Sequence, residues 1–296
     1  MKIRFFIFIF IFSSYKYAWC KSASSVKSSS TQTADTICGV TIDTVENLPA
    51  IIKSLKSLKC KPTTRIVFDQ NIKASHYADA AEQIHKVSSI MGELLDSFYA
   101  KNISAKDYAT RTKEYLNVLG ENVDIWEIGN EINGEWLGET PQVVEKMNAA
   151  YNIVKARQKT TALTLYYNDG CWAQKSNEMF TWAQANISEP MKQGLDYVFI
   201  SYYEDDCNDL QPDWPKVFQK LATMFPNSKI GFGEVGTKHP DRKKAYINRY
   251  YNMKIDHPRF VGGYFWWYFS QDMVPSTRPL LKMLNNAIVS SKKSTK

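Results

Sequence analysis

The stretch IWEIGNE, residues 125–131, is an apolar, strand-like run that ends in a glutamate beside an asparagine. A second stretch of this kind, IGFGEVG at residues 230–236, carries Glu234 between glycine and valine. A carboxylate at the end of a buried strand loses its hydration, and a fold seldom accepts that cost twice for packing alone. Glu131 and Glu234 are therefore predicted to face one cleft, where they can act on a substrate together.

Apolar, strand-like runs alternate with helical patterns through the rest of the chain. Near-continuous apolar runs are typical of parallel strands that are buried on both faces. A capping box at Ser104 marks the start of one of the intervening helices. The predicted strands cover residues 39–43, 65–69, 89–96, 123–131, 162–169, 197–203, 229–234 and 262–267.

The ends of the eight predicted strands are nearly evenly spaced. Measured at one residue near the end of each strand, the successive positions lie 26, 27, 35, 37, 35, 31 and 33 residues apart: Asp43, Asp69, Asp96, Glu131, Asn168, Tyr203, Glu234 and Trp267. Eight βα units over about 250 residues predict an α/β protein, a (β/α)8 TIM barrel with a single domain. An open doubly wound sheet would also alternate strands and helices. It does not require eight similar units, however, and no Gly-x-Gly-x-x-Gly turn follows a strand here.

The first 20 residues are typical of a secretory signal peptide. Lys2 and Arg4 precede a short apolar run, residues 5–12, and Ala18 and Cys20 place small residues before the predicted cleavage point. The apolar run is too short to span a bilayer, so a membrane anchor is the less favoured alternative. We therefore expect the protein to be secreted or periplasmic, with no membrane segment after the signal is removed.

Composition divides the remainder into three parts. Residues 21–35 are rich in Ser and Thr and are predicted to be a linker. Residues 36–291 are predicted to be the catalytic domain, and residues 292–296 a basic tail. The net charge of the whole chain is +7, but residues 36–291 contain 29 basic and 29 acidic side chains. A neutral domain gives no support for nucleic acid as a partner.

Four cysteines fall within the predicted domain, which suggests two disulfides with three possible pairings. In a barrel, Cys38 and Cys60 would lie at the N-terminal face, whereas Cys171 and Cys207 would follow neighbouring strands at the C-terminal face. We therefore expect the pairs Cys38–Cys60 and Cys171–Cys207, each contributing about 3 kcal/mol. The sequence has no Cys-x-x-Cys and no paired histidines, so we expect no metal and no cofactor. A monomer is expected.

The active site of a barrel of this type lies at the C-terminal ends of its strands. Strands four and seven lie across the barrel mouth from one another, so Glu131 and Glu234 can approach each other. A separation of ~5–5.5 Å would fit a retaining glycosidase, and ~6.5–9.5 Å an inverting one. Polar residues collect at the predicted strand ends: Asp43, Asp69, Asp96, Asn130, Glu131, Asn168, Asp169, Tyr203, Glu204 and Glu234.

The motif IGNE at residues 128–131, together with GE at residues 233–234, resembles the clan A glycoside hydrolases. These are (β/α)8 retaining enzymes, and the resemblance covers about residues 38–290. Within the clan, GNEING at residues 129–134 and SYY at residues 201–203 are similar to endo-β-1,4-galactanases. The run FWWY at strand eight departs from that subfamily, so the sugar and the linkage stay open.

The resemblance implies roles for individual residues. Glu131 would be the general acid/base, with a raised pKa, and Glu234 the nucleophile, with a low one. Asn130 would bind the 2-hydroxyl of the substrate, and Tyr203 would help to keep the nucleophile ionised. Many clan members place a histidine two residues before this tyrosine, where this chain has Ser201.

Further substrate contacts are expected at other strand ends. Trp266 or Trp267 would stack against a sugar ring, and the sequence does not choose between them. Asn168 and Asp96 are the other predicted substrate-binding residues. Glu127 lies on the same side of strand four as Glu131. It is expected to pair with an arginine inside the barrel, such as Arg65.

Taken together, the sequence predicts a secreted retaining glycoside hydrolase. It would cleave O-glycosidic bonds of a β-linked glycan by double displacement, with an oligo- or polysaccharide as its partner. Two alternatives use the same barrel. One is a carbohydrate-binding pseudoenzyme, and the other is a transglycosylase in which an acceptor sugar replaces water.

Overall fold

Eight parallel strands form a closed barrel in which each strand pairs with its neighbours in the chain and the last pairs with the first. This computed structural model describes residues 36–293. The predicted (β/α)8 barrel and all eight of its strands are confirmed. The strands are β1 (Ile37–Ile42), β2 (Pro62–Val67), β3 (Ser89–Glu93), β4 (Ile125–Glu127), β5 (Thr160–Tyr166), β6 (Tyr197–Tyr202), β7 (Lys229–Val235) and β8 (Phe260–Trp266).

Helices follow each strand and cover the outside of the barrel. Ser104 accepts a hydrogen bond from the amide of Asp107 at 3.1 Å, which confirms the predicted cap of α3. Short 3₁₀ helices occupy several strand-to-helix loops, including Ser97–Asn102 after β3. The α-helices are α1 (Leu48–Lys56), α2 (Ala78–His85), α3 (Ala105–Leu119), α4 (Thr140–Ala156), α5 (Met179–Asn186), α6 (Glu189–Gly194), α7 (Trp214–Met224), α8 (Pro240–Tyr251), α9 (Phe269–Met273) and α10 (Pro279–Lys293).

Most of the predicted terminal segments cannot be compared with the structure, which describes residues 36–293. The signal peptide (residues 1–20) and the linker (residues 21–35) lie outside the described residues, as do the last three residues of the predicted basic tail. Helix α10 extends to Lys293, two residues into that tail. Within residues 36–293, none of the helices has the length and apolar character needed to cross a membrane.

The barrel interior is apolar towards the starts of the strands and polar above them. The apolar layer closes the lower end, since its side chains come from seven different positions in the barrel wall: Ile37, Met91, Ile125, Ala162, Phe199, Val261 and Phe265. The next layer contains Arg65, Glu93 and Glu127, all buried. Charged groups therefore lie between an apolar floor and the C-terminal mouth, where a TIM barrel has its active site.

Both expected disulfides are present. Cys38 and Cys60 are bonded at 2.07 Å, and their Cα atoms lie 6.4 Å apart. Cys171 and Cys207 are bonded at 2.00 Å, with a Cα separation of 5.1 Å. The first pair ties β1 to the segment after α1, and the second joins the loops that follow β5 and β6. The predicted pairings are confirmed.

A one-residue irregularity in β7 aims Glu234 into the barrel. Ile200 of β6 pairs with Phe232, but the next residue, Ser201, pairs with Glu234, so Gly233 is an extra residue in the ladder. Such a bulge shifts the alternation by one position and moves the following side chain to the other face. Glu234 consequently reaches the same interior as Ser201 instead of facing the surrounding helices.

Replacing Gly233 with alanine is predicted to destabilise the barrel by about 1–3 kcal/mol through overpacking. An added Cβ would lie 2.6 Å from the Cβ of Phe199 and 2.9 Å from Oγ1 of Thr164, both buried. Urea denaturation followed by circular dichroism measures the effect. Gly170→Asn is the control, since open space surrounds this position and asparagine tolerates its φ of 84°. Equal stability of Gly233→Ala and the unchanged protein would contradict the packing argument.

Candidate active site

A cavity of about 420 Å³ opens at the C-terminal ends of the strands. Its size lies within the ~300–1,000 Å³ that is usual for small-molecule sites. Both predicted catalytic glutamates line it, and four of the predicted substrate-binding residues do so as well. The six are Asp96, Asn130, Glu131, Tyr203, Glu234 and Trp267.

Glu131 has a left-handed backbone conformation, with φ of 48°, just beyond the end of β4. For a residue with a side chain, such a conformation costs roughly 1–3 kcal/mol and persists only where the surroundings impose it. Here the neighbouring strand holds the chain, because the amide of Ile132 donates to the carbonyl of Thr164 at 3.1 Å. The strained backbone turns the carboxyl group of Glu131 into the cavity.

Two serine hydroxyls hold the carboxyl group of Glu131. Ser201 donates to Oε1 at 2.6 Å, and Ser97 donates to Oε2 at 2.7 Å. Trp136 in turn donates from Nε1 to the Ser97 hydroxyl at 3.0 Å. Burial raises the pKa of Glu131, and the hydroxyl donors from Ser201 and Ser97 oppose this increase without cancelling it. A carboxyl group of this kind keeps its proton at a higher pH than a free glutamate, as a general acid requires.

Glu234 receives hydrogen bonds from a phenol and a guanidinium. Tyr203 donates to Oε1, and Arg65 donates from Nη1 to Oε2 at 2.6 Å. The predicted placement of Tyr203 beside Glu234 therefore agrees with the geometry. Only 4% of Glu234 is exposed. Its contacts include a permanent cation, whereas Glu131 contacts neutral hydroxyls.

Arg65 lies close to three carboxyl groups, those of Glu93, Glu127 and Glu234. It binds Glu127 through two nitrogens, Nε at 2.7 Å and Nη2 at 3.2 Å, which confirms the expected pairing of these residues. Nη2 also lies 3.1 Å from Oε2 of Glu93, although without hydrogen-bond geometry. One positive charge is thus shared among Glu93, Glu127 and Glu234. Burial raises the pKa of Glu93 well above its usual value, so this carboxyl group keeps its proton at a higher pH than a free glutamate.

The expected low pKa of Glu234 is wrong for the free cavity. Burial raises the pKa of Glu234 to about 8, although Arg65 and the Tyr203 hydroxyl lower it and the charge of Glu131 raises it further. The physical reason is that Arg65 divides its charge among several carboxylates and so compensates only part of the desolvation. When the pair holds one proton, the guanidinium contact favours the charge on Glu234 and the proton on Glu131.

Asn130 offers an acceptor to the cavity. Its Oδ1 is buried and has no hydrogen-bond partner among the residues that the structure describes. A buried acceptor without a partner costs about 1–3 kcal/mol, which a substrate hydroxyl could recover by donating to it. Asp96 also lines the cavity, and its side chain accepts from the amide of Phe98 at 2.7 Å.

The two tryptophans at the end of β8 have different environments. Trp267 lines the cavity, and its ring centroid lies 5.6 Å from Cζ of Arg65. Trp266 is fully buried and donates from Nε1 to Asp272 at 2.9 Å. The structure therefore selects Trp267 as the candidate for stacking on a sugar, and Trp266 is a core residue.

Asn168 is the second predicted substrate-binding residue that lies away from the cavity. Its Nδ2 donates to the carbonyl of Asn177 at 3.0 Å, and its Oδ1 accepts from the amide of Met179 at 3.0 Å. The side chain is buried and occupied in holding the loop between β5 and α5. The expectation for Asn168 is corrected accordingly, because no free polar atom of this residue faces the cavity.

Several cavity residues are not predictable from the sequence pattern. Ser97, Phe98 and Trp136 lie on loops, where strand alternation gives no information about the direction of a side chain. The departure at Ser201 from the usual histidine was one available signal, since this residue contacts Glu131 directly. In the described part of the chain, no group of three His, Cys, Asp or Glu side chains is arranged to hold a metal ion.

Comparison with solved structures finds barrels of similar fold. Gas2 of Saccharomyces cerevisiae matches 87% of this chain with a TM-score of 0.59 at 12% identity, and the chain spans 64% of its length. A β-glucosidase designated 1317 matches 82% of this chain and 87% of its own, with a TM-score of 0.56 at 14% identity. The GH1 β-glucosidase of Exiguobacterium antarcticum matches 84% and 87%, with a TM-score of 0.54 at 10% identity.

At these identities the likeness establishes the fold. Gas2 has been solved in complex with laminaritriose, laminaritetraose and laminaripentaose. No protein-family model matches this sequence, and no curated protein is significantly similar to it.

The variants Glu93→Gln and Glu127→Gln are predicted to change the free energy of unfolding in opposite directions at pH 8. A raised folded-state pKa means that the stability contributed by Glu93 is complete below its unfolded pKa, about 4.3, and declines as the pH rises towards the folded value. Glu93→Gln should therefore match the unchanged protein near pH 4 and be more stable at pH 8. Glu127→Gln breaks a buried ion pair with Arg65 and should lose about 3–5 kcal/mol.

Chemical denaturation at pH 4, 6 and 8 measures both effects on the free energy of unfolding. The two variants serve as matched controls, because each removes one carboxylate next to the same guanidinium. A loss of stability in Glu93→Gln that equals the loss in Glu127→Gln at every pH would show that Glu93 is ionised.

Proposed function

We propose that this protein is a retaining glycoside hydrolase that cleaves a β-linked glycan by double displacement. The observation that carries the proposal is the pair of buried carboxyl groups in one cavity, each in a different environment. Glu234 contacts a guanidinium and a phenol, and Glu131 contacts two hydroxyls. This asymmetry suits a nucleophile and a general acid/base.

In the first step, ionised Glu234 attacks the anomeric carbon of the substrate. The glycosidic bond breaks, and Glu131 donates its proton to the departing oxygen. A covalent ester between the sugar and Glu234 remains. Arg65 and Tyr203 position the attacking carboxylate, since they hold one of its oxygens each.

In the second step, water attacks the anomeric carbon and Glu131 accepts a proton from it. The ester bond breaks and Glu234 leaves as a carboxylate. Formation of the ester removes the negative charge of Glu234, which is one of the charges that interact with Glu131. The pKa of Glu131 falls as a result, so the same group can now act as a base.

Two further residues are proposed to bind the sugar ring whose bond is cleaved. Asn130 presents an unpartnered buried oxygen, which can accept from a ring hydroxyl such as that at position 2. Trp267 offers an aromatic face above the guanidinium that binds Glu234. All of these groups come from one chain, so the proposal requires no oligomer.

The favoured substrate class is a β-glucan. Its support is that two solved neighbours are named β-glucosidases and that Gas2 has been solved with laminari-oligosaccharides. A galactan is the second candidate, because of the local GNEING similarity at residues 129–134. Secretion to the cell exterior or the periplasm is proposed as well, and the two disulfides support it, since such bonds persist in oxidising compartments.

A substrate panel of laminarin, cello-oligosaccharides, galactan, mannan and xylan tests the activity, and two variants test the roles. Glu131→Gln is predicted to lower kcat/KM on the best glycan by about 10²–10⁴-fold, the usual contribution of a general acid. Its loss on β-D-glucosyl fluoride should be much smaller, because fluoride leaves without protonation. Glu234→Gln should lose activity on both kinds of substrate, since the nucleophile is absent.

Glu139→Gln is the matched control. Glu139 is an exposed glutamate at the start of α4 whose side chain makes no capping hydrogen bond. It should retain full activity, and circular dichroism should show that all three variants are folded. Wild-type rates in Glu234→Gln, or no hydrolysis of any glycan or glycosyl fluoride by the unchanged protein, would contradict the proposal.

A further inference from the structure

Phe98 is a large aromatic residue that is 63% exposed at the mouth of the cavity. It belongs to the 3₁₀ helix Ser97–Asn102, which follows β3. An exposed apolar ring at the rim of a cavity contributes binding free energy when a ligand covers it. The carbon–hydrogen face of a pyranose is such a ligand, because it packs well on an aromatic ring.

The backbone of Phe98 is held at the rim by hydrogen bonds, and its ring contacts that of Tyr99. Asp96 accepts a hydrogen bond from the amide of Phe98 at 2.7 Å and, through its carbonyl, one from the amide of Tyr99 at 3.1 Å. The rings of Phe98 and Tyr99 meet edge to face, with their centroids 5.2 Å apart at an interplanar angle of 88°. A preorganised ring loses little conformational freedom when a ligand stacks on it.

By their contacts, Phe98 and Trp136 group with Glu131 and Trp267 groups with Glu234, and these two groups define two sides of the cavity. Phe98 follows Ser97, which binds Glu131 at 2.7 Å, and Trp136 donates to the same serine at 3.0 Å. An edge-to-face contact with Tyr166, at 5.1 Å, fixes the ring of Trp136. On the other side, Trp267 lies over Arg65, and Arg65 binds Glu234 at 2.6 Å.

The proposed chemistry assigns a different part of the substrate to each side. The nucleophile lies below the anomeric carbon of the sugar that becomes attached to it. The general acid lies at the glycosidic oxygen, so the leaving group extends towards the residues grouped around that acid. The Trp267 side thus holds the sugar that forms the ester, and the Phe98 side holds the sugar that leaves.

We propose that Phe98 and Trp136 form a binding site for the leaving-group sugar. This inference rests on the proposed function and deepens it: the substrate carries sugars on both sides of the cleaved bond, as in an oligo- or polysaccharide. The same site can receive an acceptor sugar. In that case an acceptor hydroxyl oxygen bonds to the anomeric carbon, the ester bond to Glu234 breaks, and Glu131 takes the hydroxyl proton.

The test compares a substrate that has a leaving sugar with one that has none. Laminaritetraose requires the proposed site, whereas β-D-glucosyl fluoride releases only fluoride. In Phe98→Ala, the ratio of kcat/KM for laminaritetraose to kcat/KM for the fluoride is expected to fall about tenfold, as for a lost stacking contact near 1.4 kcal/mol. Phe98→Tyr keeps the ring and should restore the ratio.

Trp172→Ala is the control for loss of an exposed aromatic residue. Trp172 lies on the loop after β5, is 36% exposed and is not among the residues that line the cavity. This variant should keep the wild-type ratio. Transfer is measured with the fluoride as donor and laminaribiose as acceptor, and Phe98→Ala should give a smaller share of transfer product.

The pH profile of kcat/KM distinguishes a loss of sugar binding from a change in the pKa of Glu131. Ser97→Ala removes a donor to ionised Glu131, so the pKa of Glu131 rises and the alkaline limb of the profile moves to higher pH. In Phe98→Ala the alkaline limb should stay in place. A shift of that limb, or a wild-type ratio of the two substrates, would overturn the inference while leaving the proposed function intact. Failure of the unchanged protein to hydrolyse either probe would instead contradict the proposed function on glucans.

Discussion

The candidate site depends on Arg65, a single buried cation that faces three carboxyl groups. It binds Glu127 through two nitrogens, holds one oxygen of Glu234 and lies 3.1 Å from Glu93. Removing one partner of a buried ion pair costs about 3–5 kcal/mol, so these groups fix one another. One charge is divided among three carboxyl groups and compensates only part of their desolvation, so the pKa values of Glu93 and Glu234 stay above the usual range for a glutamate.

Two local irregularities of the backbone bring the catalytic pair together. Gly233 interrupts the alternation of β7 and turns Glu234 inward, while a left-handed conformation turns Glu131 out of line with β4. Serine hydroxyls then hold one carboxyl group, and Arg65 holds the other. Regular strands would place neither group correctly, so these two irregularities lie at the positions that are proposed to act on substrate.

The sequence predicted the barrel because burial on both faces leaves a continuous apolar run at every strand. It also predicted the disulfide pairs and the contact of Arg65 with Glu127, since these follow from the order and face of the strands. The contact of Tyr203 with Glu234 was implied by the resemblance to the clan A glycoside hydrolases. It could not choose Trp267 over Trp266, because β8 departs from regular alternation through a run of four residues with positive φ. The loop residues of the cavity and the pKa of Glu234 depend on three-dimensional packing, which no local pattern records.

The central claim is that Glu234 forms a covalent bond with the substrate. Incubation with 2-deoxy-2-fluoro-β-D-glucosyl fluoride, followed by mass spectrometry of the digested protein, tests it most directly. One added fluoroglucosyl group is expected on the peptide that contains Glu234, and none in the variant Glu234→Gln. An adduct on Glu131 or any other carboxylate, or glucan hydrolysis with inversion at the anomeric carbon and no adduct, would contradict it.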